Sequence, residues 1–310
     1  MGRHSSILVT GGAGFIGSHL VDRLMRDSYE VGVLDNLSNG KIGNVKRHLD
    51  AERFRLIKGD IRNSRDIEEA IRHVDAVFHL AAIVSVPVSL KNPSLVDDVN
   101  AMGTLRLLEA CLKADVEMFV HASSCAVYGE AHYLPIDERH PTNPLSPYAA
   151  SKLAAEYHCK AFCENYGLKT LCLRYFNVYG SRQVGGPYGG VITRFISRLK
   201  QGKPPIIYGD GEQTRDIVYV DDVVEANMLA LECQSAGEAV NVGTGTPTTV
   251  NKLAGVLLEL FGRTDLKPVY APPRKGDIRS SCADIGKAKK VLGYAPKVTL
   301  KEGLRTLLKR

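Results

Sequence analysis

A chain of 310 residues, 44% hydrophobic and 24% charged, has the size of two domains, or one domain with an added lobe, and a globular composition. No apolar run approaches the roughly 20 residues that span a bilayer, and the segment from Met1 to Ser6 lacks the apolar centre of a signal peptide, so a cytoplasmic protein without membrane contact is expected. The net charge of +6 is spread along the chain with no basic arm or stripe, which argues against nucleic acid as a partner.

In chain order, Ile7 to Thr10 is a predicted strand that breaks at Gly11, and Phe15 to Arg26 has helical spacing through Ile16, Leu20 and Leu24. Val31 to Leu34 is the next strand and ends in Asp35; Phe54 to Ile57 ends before Gly59-Asp60. Ala76 to Leu80 ends in Ala81-Ala82, and Glu117 to Val120 leads into Ala122-Ser123-Ser124. Between these last two, Val99 to Leu112 is a predicted helix with Leu105, Leu108 and Leu112 on one face. Strands alternating with helices imply a parallel sheet covered on both sides. In such a sheet ligands bind beyond the strands' carboxyl ends, where the small and polar residues of this sequence gather.

Past Tyr175 the pattern weakens. Gly185 to Gly190 is a predicted loop, Val191 to Lys200 a helix, and Lys203-Pro204-Pro205 a break. The helix from Val223 to Leu231 and the strand from Ala239 to Val242 have the earlier character again. The expectation is therefore an α/β protein: a Rossmann-type, doubly wound parallel sheet with a smaller α/β substrate-binding domain. Residues 1–178 and 217–243 are assigned to the first and 179–216 and 244–310 to the second. Seven scattered cysteines, an odd number, read as free thiols in a reducing compartment. Cys159 and Cys163 have no second pair to complete a metal site, so none is expected.

Gly11, Gly14 and Gly17 follow the first strand and open the first helix. This spacing suits a tight turn, close backbone approach to a pyrophosphate and close helix–strand packing. The helix N-terminus offers N–H groups and partial positive charge to phosphates. Asp35, about 20 residues on, can hold ribose hydroxyls and would repel a 2′-phosphate, which favours NAD over NADP. Asp60 is a candidate adenine contact and equally a plain turn aspartate. Tyr148 and Lys152 stand one helical turn apart on one face. A free phenol, with pKa near 10, is a poor base at neutral pH. A neighbouring ammonium and the positive nicotinamide would bring it toward the working range.

Thr10 to Gly17, His79-Leu80-Ala81-Ala82, Ser123 to Gly129, Tyr148 to Lys152 and Leu173 to Asn177 together resemble the extended short-chain dehydrogenase/reductase family, over essentially the whole chain. The resemblance implies that Ser124 hydrogen-bonds the reacting hydroxyl, Tyr148 is the acid/base, and Lys152 tunes the tyrosine and grips the nicotinamide ribose. It extends the NAD-binding set to Phe15, Ile16, Asn36, Leu37, Ser38, Asn39, Gly40, Ile61, Leu80, Ala81, Ala82, Asn100, Ser123, Tyr175 and Val178. For a nucleotide-sugar substrate it implies Asn177, Val191, Tyr208 near the base, Arg215 and Arg274 on the diphosphate, and Asp277. Guanidinium groups suit phosphate oxygens.

Within that family the loop Asp35 to Gly40 is most similar to the UDP-hexose 4-epimerases, which implies epimerisation at C4 through a transient 4-keto sugar. The similar 4,6-dehydratases carry Asp-Glu where Cys125-Ala126 stand here, and related decarboxylases keep the glutamate; neither residue here can transfer that proton. A reductase with net redox turnover and a non-catalytic NAD-binding regulator are also compatible with the glycine turn. Ser281 stands where many 4-epimerases place a tyrosine, so acceptance of 2-acetamido sugars is expected beside UDP-glucose and UDP-galactose. The resemblance also implies a homodimer through helices near 101–113 and 149–165.

Overall fold

The computed structural model describes residues 4–183, 190–273 and 278–308. Its strands are β1 (Ser6–Thr10), β2 (Glu30–Asp35), β3 (Phe54–Lys58), β4 (Ala76–His79), β5 (Met118–Ser124) and β6 (Lys169–Tyr175), then β7 (Asn177–Tyr179), β8 (Ile206–Tyr208), β9 (Thr214–Tyr219), β10 (Glu238–Val242), β11 (Pro247–Thr249) and β12 (Val269–Ala271). Seven form one parallel sheet in the order β10-β6-β5-β4-β1-β2-β3. The chain winds outward in one direction from β1 to β3 and in the other from β4. The crevice between β1 and β4 is thus the switch point where such sheets bind ligands.

Side-chain alternation along these strands fills both faces. Ile7 and Val9 of β1 join a core with Leu20, Val21 and Leu24 of the helix Phe15–Arg26 and Val223 and Ala226 of the helix Val220–Leu231. Leu8 points the other way, into a core with Leu107 and Leu108 of the helix Gly103–Lys113 and Cys159 and Phe162 of the helix Pro147–Tyr166. Burial on both faces explains why the strands are continuous apolar runs.

Two expectations shift. Strand β5 continues to Ser124, because β6 pairs with it as far as Ser124 opposite Tyr175. The helix expected from Val99 begins with a wide π turn, Asp98–Met102. The extra residue in that turn rotates the rest of the helix, so Gly103, Thr104, Leu107, Leu108 and Cys111 are buried while Leu105 and Leu112 are only half-buried.

A third core gathers Tyr179, Phe195, Leu199, Ile217, Leu253, Leu257 and Leu304 around two small sheets, β11-β9-β7 and β12-β8. The boundaries expected at 178 and 217 fall within β7 and β9, both in the first of these sheets. Among the described residues all seven cysteines are free thiols, and no helix is long and apolar enough to cross a membrane.

Candidate active site

A cleft of about 470 Å³ lies beyond the carboxyl ends of β1, β2, β4, β5 and β6. Its floor is the glycine turn. Gly11 has φ +70°, and a Cβ there would lie 2.8 Å from the Ala81 nitrogen; a Cβ on Gly17 would collide with the Gly11 carbonyl. Gly14 caps the helix Phe15–Arg26 in extended conformation with no side-chain capping bond and no acid in the first turn. Its leading N–H groups and dipole are thus left to a ligand's phosphates.

Asp35 closes β2 at the cleft wall. Its carboxylate accepts from Ala13 N at 2.9 Å and Leu37 N at 2.8 Å, while burial raises its pKa against those two bonds. A Cβ on Gly40 would touch both carboxylate oxygens at 2.7 Å, so the loop from Asn36 to Gly40 can curl over Asp35 only with glycine there. The described residues fit a dinucleotide: a backbone cradle that any side chain would fill, an uncapped helix end, and a buried acid.

Of the residues expected to bind the cofactor, all but Leu37 and Asn100 line this cleft. Leu37 takes a left-handed conformation, φ +59°, that directs its N–H to Asp35. Asn100, inside the π turn, is fully buried, and its amide is consumed by Ile83 N (2.8 Å), Ile83 O (3.0 Å) and Ser151 Oγ (3.0 Å). Ser151 in turn donates to the Tyr148 carbonyl at 2.9 Å, so Asn100 ties the cleft wall to the helix that carries Tyr148. Asp60 lines the cleft with its carboxylate occupied by Arg62 and Asn36, and the Arg62 guanidinium holds it well below the usual carboxylate range.

Ser124, Tyr148 and Lys152 meet at the inner end. Ser146 caps the helix Pro147–Tyr166 by accepting from Ala149 N, and Pro147 begins it, which places Tyr148 in its first turn. The Tyr148 hydroxyl faces the Ser124 hydroxyl, which favours the ionised phenol. Ser124 Oγ also accepts from Ala126 N at 3.1 Å, which fixes its rotamer. Lys152 Nζ donates to the Ala122 carbonyl at 2.8 Å.

Burial dominates the titration of both groups. It pushes the Tyr148 phenol up to about 12, against the influence of the Ser124 hydroxyl, and brings the Lys152 ammonium down to about 8. The expected lowering of Tyr148 by Lys152 is not among the influences acting on the phenol in the chain alone; Lys152 Nζ gives one of its three N–H groups to Ala122 and keeps two for a ligand.

On the substrate side, Asn177 is exposed and donates to the Asp216 carbonyl at 3.2 Å. Val191 begins the helix Val191–Lys200, half-buried, and Tyr208 ends β8, where Gln213 Nε2 donates to its carbonyl. Arg215 donates to the Thr214 carbonyl and lies in electrostatic contact with the Cys125 thiol. Ser281 is buried, and its hydroxyl meets that same thiol rather than standing among the described residues of the cleft. Arg274 and Asp277 lie outside the described residues, as does most of the Gly185–Gly190 loop.

Three features escaped the sequence reading. Glu156 and Arg174 form a buried ion pair that also engages Ser123. Asp216 is buried and accepts from Thr244 N, Gly245 N and Ala283 N, pinning the turn after β10 to the segment beyond Ser281. Gln183 lines the cleft. Glu156 left a trace four residues beyond Lys152, Arg174 inside the motif Leu173 to Asn177 and Asp216 beside Arg215, but spacing alone does not separate a buried charge from a surface one.

Comparison with known proteins now bears on the site. Residues 7–243 match the model of the NAD dependent epimerase/dehydratase family. The chain belongs to that family. A UDP-glucose 4-epimerase of Mycolicibacterium smegmatis is 41% identical over 300 residues, covering 96% of this chain and 95% of that one. The crystal structure of UDP-glucose 4-epimerase with UDP-glucose from Thermotoga maritima superposes with a TM-score of 0.92 at 44% identity, covering 98% and 97% of the two chains. A UDP-N-acetylglucosamine 4-epimerase from Methanobrevibacter ruminantium, in complex with UDP-N-acetylmuramic acid, gives 0.94 at 39% identity over 99% and 98%.

Proposed function

We propose that this family member is an isomerase that epimerises C4 of a UDP-hexose and keeps its NAD throughout the cycle. The observation that carries the reading is the Ser124–Tyr148–Lys152 set at the cleft's inner end with Cys125 and Ala126 beside it. A dehydratase needs an acid at those positions to expel a hydroxyl, whereas desolvation holds the Cys125 thiol protonated, with a pKa of about 12. The names of the similar 4-epimerases support the same reading.

The residues divide the work. The glycine turn and Asp35 would hold NAD, which when bound would supply reversible hydride acceptance from C4. Tyr148 takes the proton of the sugar 4-hydroxyl, with Ser124 bridging, and returns it after the keto sugar has turned over. Lys152 holds positive charge and the nicotinamide ribose at the base of the cleft. Arg215 grips the diphosphate while the sugar rotates, assisted by Asn177, Val191 and Tyr208. In this reading residues 179–216 and 244–310 form the substrate lobe, the third core being its packing.

The sequence position of Ser281, a small residue where many 4-epimerases carry a tyrosine, supports acceptance of 2-acetamido sugars, while its side chain is buried against Cys125 and outside the described cleft lining. Exposed Met102 and Tyr157 support a homodimer through the helices that carry them, and the free thiols support a cytoplasmic location. The test is incubation of the purified protein with UDP-glucose and with UDP-N-acetylglucosamine, without added NAD, followed by assay of the C4 epimers. Conversion without net NADH is expected; a product lacking the C6 hydroxyl, or steady NADH formation, overturns the reading.

A further inference from the structure

The helix Pro147–Tyr166 meets the end of β5 at three points. Tyr148, Lys152 and Glu156 recur every four residues and so lie along one stripe of the helix. They meet three consecutive strand residues: the Ser124 hydroxyl, the Ala122 carbonyl and the Ser123 hydroxyl, the last donating to Glu156 Oε1. The first two points carry the proposed chemistry. The third has no place in it, since Glu156 does not line the cleft and the Ser123 hydroxyl is turned away to it.

Burying that carboxylate requires a partner, and β6 supplies one. Arg174, opposite Ser123 in the strand register, reaches Glu156 through Nε at 2.9 Å and Nη2 at 2.6 Å. Its Nη1 donates to the Tyr128 hydroxyl at 2.9 Å, which donates on to Asn241 of β10 at 2.7 Å. The guanidinium also stands 4.8 Å from the centre of the Tyr128 ring. A planar, permanently charged fork held on three sides is a rigid anchor. A buried ion pair contributes little net stability over apolar packing of the same shape, so its value here lies in fixing geometry.

We propose that Ser123, Glu156 and Arg174 are positioning residues: they clamp the last turn of β5 to the catalytic helix, so that the Ser124 hydroxyl stays aligned on the Tyr148 phenol. The proposal rests on the epimerase reading only for its kinetic readout. Ser124 is the final residue of its strand; Ala126 N sets its rotamer, and the tie at Ser123 holds the backbone from which that hydroxyl reaches Tyr148. Displacements of about 1 Å cost up to a hundredfold in rate.

The decisive variant is S123A, which deletes one hydroxyl and leaves the ion pair in place; S123T restores it. Three quantities are measured: kcat and KM for the UDP-hexose, the melting temperature, and the Tyr148 ionisation, followed in the chain without substrate as tyrosinate absorbance relative to a Y148F reference. A loss of about tenfold or more in kcat at unchanged KM is expected. The Tyr148 titration should move to higher pH as the Ser124 hydroxyl recedes from it, with S123T returning both toward the parent protein. Unchanged kcat and titration overturn the proposal, as does a fall in melting temperature with the titration unmoved. If S123A does not fold, the charge-free pair E156Q/R174Q is titrated instead: a shift to higher pH supports the clamp, and an unmoved titration overturns it. A parent protein inactive on UDP-hexoses would sink the epimerase reading, while the titration would still decide the clamp.

Discussion

The two sides of this cleft are built differently. The dinucleotide side is made of backbone at strand ends: Gly11, Gly14, Gly17 and Asp35 sit within two strand–turn units marked locally in the sequence, and Ala81, from the end of β4, closes against Gly11. The residues proposed for the substrate draw on β7, β9 and the segment around Ser281, tied together by the buried Asp216; of these elements β7, through Val178, reaches the described cleft lining. Rigid elements come prearranged, whereas a side assembled from short strands and connections owes its shape to long-range contacts. Damage to the first should abolish cofactor binding or chemistry; damage to the second should shift substrate preference.

The largest expected effect comes where the two sides meet. Tyr148→Phe should lower epimerisation by about a thousandfold, the scale of a lost general acid/base, with substrate affinity retained in a binding assay. Near-normal turnover would remove Tyr148 from its role. Next is the dinucleotide side. Asp35→Ala deletes a charged acceptor and strands the Ala13 and Leu37 N–H groups, so NAD should bind about ten- to a hundredfold more weakly by titration calorimetry. An unchanged affinity would show that the acid serves the loop alone.

The third prediction concerns pH. His79 and His121 sit on adjacent strands with ring centres 5.3 Å apart, both buried. Desolvation, with the nearby Lys152, brings His79 down to about 3 and His121 well below its ordinary value. Both are therefore neutral when folded and take up protons below about pH 6.5 only on unfolding. Their contribution is intact above that pH and is lost as pH falls, by about 1.4 kcal/mol per pH unit for each histidine. Among the described residues His121 has no hydrogen-bond partner on either ring nitrogen. His121→Leu should thus remove one proton's share of the slope in urea unfolding between pH 6 and 5, without loss of stability at pH 7. An unaltered slope would place the acid sensitivity elsewhere.

The smallest effect belongs to the substrate side. Ser281→Tyr should reduce turnover of UDP-N-acetylglucosamine by about ten- to a hundredfold while UDP-glucose conversion stays within a few-fold, the scale on which pocket size discriminates. Equal losses on both sugars would mean that position 281 acts through Cys125 rather than through the pocket.

Legibility in the sequence divides along the same line. The helix Phe15–Arg26 was readable to the residue, because a strand, three glycines and an apolar stripe mark it locally. The strands β6, β7, β8, β9, β11 and β12 passed unread, β6 being seen only as part of the motif Leu173 to Asn177, since their pairing partners lie far along the chain. Asn100 was expected in the cleft and instead faces inward, because the π turn that holds it leaves no mark in hydrophobic spacing.

The sequence by itself determined the alternation of strands and helices that makes a parallel sheet, the glycine spacing at Gly11 to Gly17, the acid at Asp35 and the pairing of Tyr148 with Lys152. Each depends on periodicity or spacing within a few turns of chain. Only the tertiary structure decided that Lys152 Nζ reaches the Ala122 carbonyl, why the Tyr148 phenol sits high, and that Glu156 and Arg174 pair against Ser123. Those outcomes are set by burial and by partners on other elements, and desolvation has no signature in the order of residues.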